Sequence, residues 1–173
     1  MTVYYYHFSE EATITRFEPR CHPSHPDLGP VVWAIDEKRA PLYFFPRDCP
    51  RIAFWSTPAT TDGDRERFLG HTAARMVITV ENRWLDKIRE TNVYVYRFAA
   101  GSFRCIDEGA GYFIAKQPVT PLSVEPVGDL LRTLADAEVE LRMTPTLGPL
   151  RDVLLGSTLH ASMIRMRNAI LIP

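Results

Sequence analysis

Short stretches of aromatic and β-branched residues, each ended by proline, glycine or charged residues, fill the first two-thirds of the chain. Side chains of these types favour β-strands. The predicted strands lie within residues 3–11, 31–35, 51–55, 75–81, 93–98, 103–107 and 112–116. So many short strands with few helices between them favour a sheet that is largely antiparallel or mixed.

The last third of the chain shows helical periodicity. Residues 127–137 carry apolar side chains at i, i+3, i+4 and i+7, which is the spacing of one helix face. A second helix is predicted from Leu147 to near Gly156, after a half-buried strand over residues 139–143. The pattern predicts an α+β fold with a mixed, largely antiparallel sheet and a helical C-terminal third.

Two further helical features are expected in the strand-rich part. Residues 10–17 can form a short helical turn, because Ala12, Ile14 and Phe17 are available to pack. Asn82 is a residue type that caps helix N-termini, so a helix is expected to begin there.

Composition sets the class of protein. The 173 residues predict one globular domain, and the apolar and charged fractions of 46% and 24% are ordinary for such a domain. A net charge of -1 does not favour a nucleic-acid partner. No apolar run approaches the roughly 20 residues of a membrane helix, and no secretory signal pattern is present. Three unpaired cysteines fit reduced thiols, so a cytoplasmic location is expected.

His7 is the first candidate functional residue. It follows three consecutive tyrosines and lies where the first predicted strand meets the polar Ser9-Glu10-Glu11. A histidine at a strand-to-loop junction can present its ring to a pocket while neighbouring aromatic residues pack. Its role therefore depends on whether the ring faces a pocket or the core.

A proline-rich loop over residues 18–30 carries the second candidate. Four prolines and a glycine exclude a helix or a central strand there, and long loops in compact domains are often functional. Cys21, His22, His25 and Asp27 are residue types that bind zinc. No second ligand cluster exists in the sequence, so a polar loop without a metal is the favoured interpretation and no metal is expected.

The third candidate is the segment over residues 107–112. Two carboxylates, Asp107 and Glu108, precede Gly-Ala-Gly and the aromatic Tyr112. Glycines permit a close approach of a ligand or of another strand, and a carboxylate at a strand end can stabilise a cationic transition state. A solvated hairpin turn explains the same composition.

Several known catalytic and nucleotide-binding motifs are absent. The chain has no Gly-x-Ser-x-Gly nucleophile turn, no P-loop, and no Gly-x-Gly-x-x-Gly after a strand. A doubly wound dinucleotide-binding fold is therefore not expected.

Taken together, these segments resemble a small bacterial family whose function is uncharacterised. The similar segments are residues 6–10, 32–36, 46–51, 107–112, 118–123 and 164–168. The resemblance covers most of the chain and implies no activity.

The order of elements also resembles the small ADP-ribosyltransferases of the rifamycin-modifying type. Those enzymes open with a Tyr-x-His-Gly-Thr strand, continue with a Val-Tyr-x-Thr strand, and place an acid after a later Val-Tyr-x-Val-type strand. Here residues 5–9, 31–34 and 95–98 stand for these elements, and Asp107 or Glu108 stands for the acid. The resemblance implies an ADP-ribosyltransferase-like architecture with NAD as substrate.

The resemblance also implies roles for individual residues. His7 would hold the NAD ribose, Trp33 would stack on the nicotinamide ring, and Asp107 or Glu108 would support the oxocarbenium-like transition state. Ser9 and Tyr112 would complete the NAD-binding residues. Phe8 replaces a family glycine, and Trp33 is larger than the family tyrosine.

Three hypotheses follow. In the first, the protein cleaves the nicotinamide–ribose bond of NAD and transfers ADP-ribose to an unknown small-molecule or protein acceptor. In the second, Phe8 and Trp33 fill the cleft and the chain is a non-catalytic ligand-binding or interaction domain. In the third, His22, His25 and Asp27 serve a metal-dependent hydrolase. The aromatic content of 11% leaves room for a homodimer.

Overall fold

The computed structural model describes residues 3–170. Their strands and helices form an α+β fold, as predicted. The chain divides into two compact units, each built from two chain segments. Unit 1 comprises residues 3–44 and 92–128, and unit 2 comprises residues 45–91 and 129–170. One globular domain for the whole chain stays a prediction.

Unit 1 contains a six-stranded sheet in which every pairing is antiparallel. The spatial order is β6-β7-β2-β1-β5-β8. The strands are β1 (Tyr4–Ser9), β2 (Val32–Ile35), β5 (Tyr94–Ala99), β6 (Arg104–Asp107), β7 (Tyr112–Ala115) and β8 (Ser123–Pro126). The five predicted strand segments in this unit are confirmed, with small differences at their ends.

The two faces of this sheet follow from strand alternation. Tyr5, His7 and Ser9 of β1 point to one face, because they pair with the β5 residues Phe98, Tyr96 and Tyr94. Side chains of this core face pack together with two residues outside the strands in a buried cluster. Its members are Phe17, Val32, Ala34, Tyr96, Phe98, Ala115 and Val119. The alternate residues, including Tyr6, lie on the second face.

Unit 2 contains a four-stranded mixed sheet in the order β10-β3-β4-β9. The strands are β3 (Arg51–Trp55), β4 (Met76–Glu81), β9 (Val139–Thr144) and β10 (His160–Ile164). β4 pairs antiparallel with β3 and parallel with β9. All six residues of β4 are buried, as expected for a central strand with covered faces.

Four α-helices are present in the described chain, and all belong to unit 2. They are α1 (Asp62–Asp64), α2 (Leu85–Glu90), α3 (Leu130–Asp136) and α4 (Gly148–Leu154). A π-helical turn over Arg65–Leu69 continues α1, and a 3-10 turn over Asn82–Trp84 precedes α2. Leu147 and Leu154 pack with Ile52, Phe54 and Val77 in the core of this unit.

The predicted helical C-terminal third is not confirmed. Helices α3 and α4, of seven residues each, alternate there with the strands β8, β9 and β10. The strand β10 (His160–Ile164) was not predicted from the sequence, because it is short and only its alternate residues Ala161 and Met163 pack on the core cluster of unit 2. Its antiparallel partner β3 lies more than 100 residues earlier in the chain.

One of the two local helix predictions is wrong. Residues 10–17 form bends and a single bridge between Phe17 and Val119 rather than a helical turn. The helix expected at Asn82 is present as a 3-10 turn over Asn82–Trp84 that continues into α2, with Asn82 as its first residue rather than its cap. In contrast, Asp129 caps α3, since its side chain accepts a hydrogen bond from the Arg132 N–H.

Within residues 3–170, none of the helices combines the length and apolar character that crossing a bilayer requires.

Candidate functional site

The proline-rich loop of unit 1 has a defined shape. It is closed by a bridge between Arg20 and Val31 and contains a 3-10 turn over Pro26–Leu28. The His25 N–H donates to the His22 carbonyl at 2.9 Å, and the Ser24 N–H donates to His22 Nδ1 at 3.2 Å. These bonds bring the two histidine rings within 5.7 Å of each other.

Both histidine rings contact the indole of Trp33. The His25 and His22 ring centroids lie 5.1 and 5.7 Å from the Trp33 ring. Tyr112 meets Trp33 edge to face at 5.7 Å, because strand pairing puts both residues on the second face of the sheet. We call these four residues the ring cluster.

A hairpin turn holds the acidic segment beside the ring cluster. Asp107 Oδ1 accepts the Ala110 N–H at 2.9 Å, so this carboxylate closes the turn between β6 and β7. Gly111 has a φ of +71°, which favours glycine. The turn therefore needs both the acid at 107 and the glycine at 111.

Asp36 and Arg39 hold that hairpin by hydrogen bonds. The Asp36 N–H donates to the Gly111 carbonyl at 3.1 Å, and Arg39 Nε donates to the Gly109 carbonyl at 3.0 Å. Asp36 Oδ1 also accepts the Arg39 N–H at 2.8 Å, which orders the turn over residues 37–39. Arg39 is 7% exposed and forms part of the packing.

A shallow cleft of about 360 Å³ lies between the loop and the hairpin. It is lined by Ser24, His25, Pro26, Asp27, Leu28, Ile106, Asp107 and Tyr112. Two of the three candidate segments from the sequence therefore meet here. Neither segment carries a sequence signal that predicts this contact. The two segments lie about 80 residues apart, and the order of strands in the sheet brings them together.

His7 lies away from this cleft. Its ring packs edge to face on Phe17 at 4.9 Å, within the core face of the sheet. Its Nδ1 lies 3.0 Å from the backbone carbonyl oxygen of Trp33, whose indole points to the opposite face. Ser9 shares the core face and accepts the Glu11 N–H at 3.1 Å.

The six predicted site residues thus do not all come together. Tyr112 and Asp107 line the cleft, and Trp33 lies beside it in contact with Tyr112. His7 and Ser9 lie on the other face of the sheet, and Glu108 is an exposed residue of the hairpin turn. The common cleft that the ADP-ribosyltransferase resemblance implies is not formed by these six residues.

The loop does not assemble a metal site. Among residues 3–170, no group of three His, Cys, Asp or Glu side chains is arranged to hold a metal ion. His22 Nδ1 already accepts a backbone N–H, so one of its two ring nitrogens is occupied. The third hypothesis, a metal-dependent hydrolase, gains no support from this geometry.

The cysteines differ in exposure. Cys21 and Cys105 are exposed free thiols of unit 1, whereas Cys49 of unit 2 is buried. Burial raises the pKa of Cys49 to about 12. A thiol with such a pKa remains protonated at neutral pH and is a poor nucleophile.

Comparisons with known proteins identify one family. The sequence profile of a family of unknown function, DUF6886, matches residues 6–169. No curated protein and no solved structure gives a significant match. These results agree with the resemblance to an uncharacterised family and give no support for a relationship to ADP-ribosyltransferases.

Proposed function

We propose that this chain, which belongs to the family of unknown function DUF6886, binds a small ligand with a planar, nitrogen-containing ring in the cleft of unit 1. The proposal rests on one observation. The rings of His22, His25 and Tyr112 converge on Trp33 beside a cleft that is also lined by Asp27 and Asp107.

Each part of the cleft suits such a ligand. Imidazole and phenol rings offer flat surfaces for stacking, with favourable centroid separations of about 4.5–7 Å. Carboxylates accept hydrogen bonds from the N–H groups of a heterocycle or its amide substituent, and they favour a cationic ring. The cleft volume of about 360 Å³ lies at the lower end of the range for small-molecule sites.

Ligand binding without catalysis is better supported than an enzymatic reaction in this cleft. Asp107 uses one carboxylate oxygen to close the hairpin turn. Glu108 is exposed and does not line the cleft. A general acid or transition-state stabiliser needs to be held in a site that excludes water, and neither carboxylate meets that condition.

An ADP-ribosyltransferase-like activity on NAD is the second candidate. Its support is that Trp33, Tyr112 and Asp107 share one side of the sheet, where they could receive a nicotinamide ring. In this activity the NAD ribose would lack the histidine that ADP-ribosyltransferases place on their first strand, since His7 lies on the other face. NAD as substrate, the acceptor, a homodimer and a cytoplasmic location stay predictions.

A single set of measurements tests both candidates. Thermal unfolding of the purified protein is followed with nicotinamide, adenine, NAD and the ring-free control glycerol. Ligands that bind the folded state raise the Tm, by an amount equivalent to about 2.7 kcal/mol when the ligand is at one hundred times its Kd. We expect a shift with at least one heterocycle and none with glycerol.

Four variants locate the binding. Tyr112→Leu and His25→Ala should abolish the shift, whereas His71→Ala, which changes an exposed histidine of unit 2, should preserve it. Asp107→Asn keeps an oxygen that can accept the Ala110 N–H but removes the negative charge. It should therefore weaken the binding of a cationic ligand more than that of a neutral one.

The outcomes separate the candidates. Binding without release of nicotinamide from NAD supports the first candidate. Release that is lost in Asp107→Asn but kept in His71→Ala supports the second. If no heterocycle shifts the Tm, both are rejected.

A further inference from the structure

We propose a second ligand site in unit 2, a cleft of about 380 Å³ that takes a small carboxylate with an apolar body. The cleft is lined by Thr79, Arg142, Met143, Thr144, Pro145, Thr146, Pro149 and Leu150. These residues come from β4, from β9, and from the segment that leads into α4.

Thr79 is the main observation behind this site. It lies in the central strand β4 and is 3% exposed, and its hydroxyl makes no hydrogen bond with any group in the described chain. The β4 residues on either side, Ile78 and Val80, are apolar and fully buried. A buried hydroxyl without a partner is unfavourable, and valine would fill the same space. A ligand that bonds to the hydroxyl explains why threonine occupies this position.

Arg142 supplies a fixed positive charge next to Thr79. The two residues are register partners in the parallel pair of β4 and β9. Arg142 Nε donates to Glu140 Oε1 at 2.7 Å, and Nη1 donates to the Phe68 carbonyl at 3.0 Å. A guanidinium carries five N–H donors in a rigid plane, so these two bonds hold it in place and leave donors for a ligand carboxylate.

The charge of Glu140 does not compete for the cleft. The hydrogen bond from Arg142, followed by one from Thr72, lowers the pKa of Glu140, so this carboxylate is ionised and already bonded. Glu140 does not line the cleft, whereas Arg142 does. The charged group that a ligand meets is therefore positive, which favours an anionic head group.

The other wall of the cleft suits an apolar body with one more polar contact. Pro145, Pro149 and Leu150 offer apolar surface. The Thr144 hydroxyl donates to the Thr146 carbonyl at 3.3 Å and keeps lone pairs that can accept a hydrogen bond. A carboxylate reaching Arg142 and Thr79, with its body against the prolines, contacts both the polar and the apolar parts of this lining.

The test uses butyrate, hexanoate and benzoate, each compared with its primary amide. Binding is measured from the backbone amide shifts of the ¹⁵N-labelled full chain. We expect the carboxylates to shift residues 142–150 in a saturable manner, and the amides to do so at least tenfold more weakly.

Thr79→Val is the decisive variant, because it removes the hydroxyl and keeps the shape. We expect it to leave the Tm unchanged or raise it, and to weaken carboxylate binding at least tenfold. Thr60→Val is the matched control. Thr60 is 7% exposed, but its hydroxyl donates to the Thr158 carbonyl and accepts the Thr57 N–H, so this variant should lower the Tm and keep binding.

Arg142→Gln tests the charge, and it should remove the preference for carboxylate over amide. The proposal is overturned if no carboxylate shifts these residues saturably, if the amides bind equally well, or if Thr79→Val binds like the natural chain.

Discussion

The sheets of the two units differ in how their strands are connected. In unit 1 every strand pair is antiparallel, whereas in unit 2 the central strand β4 pairs parallel with β9. Between β4 and β9 the chain leaves unit 2, forms β5 to β8 of unit 1, and returns. Parallel strands require a long crossover connection. Here the connection from β4 to β9 contains most strands of the unit 1 sheet, so segments of the two units alternate along the sequence.

The units also differ in where they place charged groups. In unit 2, Glu81 and Arg51 are 0% and 2% exposed, and both bond to backbone groups of irregular segments. In unit 1, the buried cluster is formed by apolar and aromatic side chains, and the cleft carboxylates are exposed. Charged side chains thus hold irregular segments in both units, but the carboxylate that does so is buried in unit 2 (Glu81) and exposed in unit 1 (Asp107).

The largest effect is expected from Gly111→Ala in unit 1. A Cβ at this position would lie 2.6 Å from Arg39 Cγ and 2.7 Å from Asp36 Oδ1, in addition to the strain of a φ of +71°. We expect a loss of about 3–4 kcal/mol in the free energy of unfolding, combining left-handed strain with overpacking. Urea denaturation measures this loss.

Gly128→Ala is its matched control. Gly128 has a φ of +85°, but a Cβ there would meet nothing within 4 Å. It should cost only the strain, about 1–2 kcal/mol. Equal losses in the two variants would contradict the predicted clash of a Cβ at residue 111 with Asp36 and Arg39.

A smaller loss is expected from Glu81→Ala in unit 2. Glu81 accepts the Arg83 Nε–H at 2.9 Å and the Ile170 N–H at 2.7 Å. Removing both bonds should lower the free energy of unfolding by about 2–3 kcal/mol, since Arg83 is half exposed and can bind water afterwards. Urea denaturation again provides the measurement.

Asp86→Ala serves as the comparison for this variant. Asp86 forms an exposed ion pair with Arg89 at 3.9 Å, and its loss should cost less than about 1 kcal/mol. A Glu81→Ala variant as stable as Asp86→Ala would contradict the role assigned to buried charge in unit 2.

The smallest effect concerns the surface of unit 2 and depends on pH. Asp64 Oδ2 accepts the Thr158 hydroxyl at 2.6 Å and the Thr158 N–H at 2.7 Å, and these bonds lower the pKa of Asp64 from 3.8. A lowered folded-state pKa contributes stability above pH 3.8 that is lost as the pH falls through the folded-state value.

Thermal unfolding at several pH values checks this expectation. The Tm difference between the natural chain and Asp64→Ala should be constant near neutral pH and shrink in acid. Thr158→Val, which removes one of the two donors, should show a weaker version of the same trend. A difference that does not change with pH would contradict the assignment to the ionised carboxylate.

Most strands and the main helices could be predicted, because their signal is local. The alternating residues 139–143 and the helical spacing of residues 127–137 gave β9 and α3 close to their observed bounds. The prediction failed where long-range partners decide the conformation. Residues 10–17 have apolar side chains available to pack, but the chain bends there and a bridge from Phe17 to Val119 fixes the end of the segment.

The candidate site was predicted only in pieces. The loop over residues 18–30 and the segment over residues 107–112 were both singled out by composition, yet as separate candidates. Their meeting depends on β7 pairing with β2, which aligns Tyr112 with Ile35 and so brings Tyr112 beside Trp33. The Thr79 cleft had no sequence signal, because one threonine in an apolar strand is common.

The sequence by itself determined that this chain forms strands and short helices, that prolines keep residues 18–30 irregular, and that Gly111 lies in a turn. These properties follow from local backbone and side-chain preferences. Only the tertiary structure decided that His7 and Trp33 point to opposite faces of one sheet. A shift of one residue in strand pairing exchanges the two faces, and that register is set by contacts far apart in the chain.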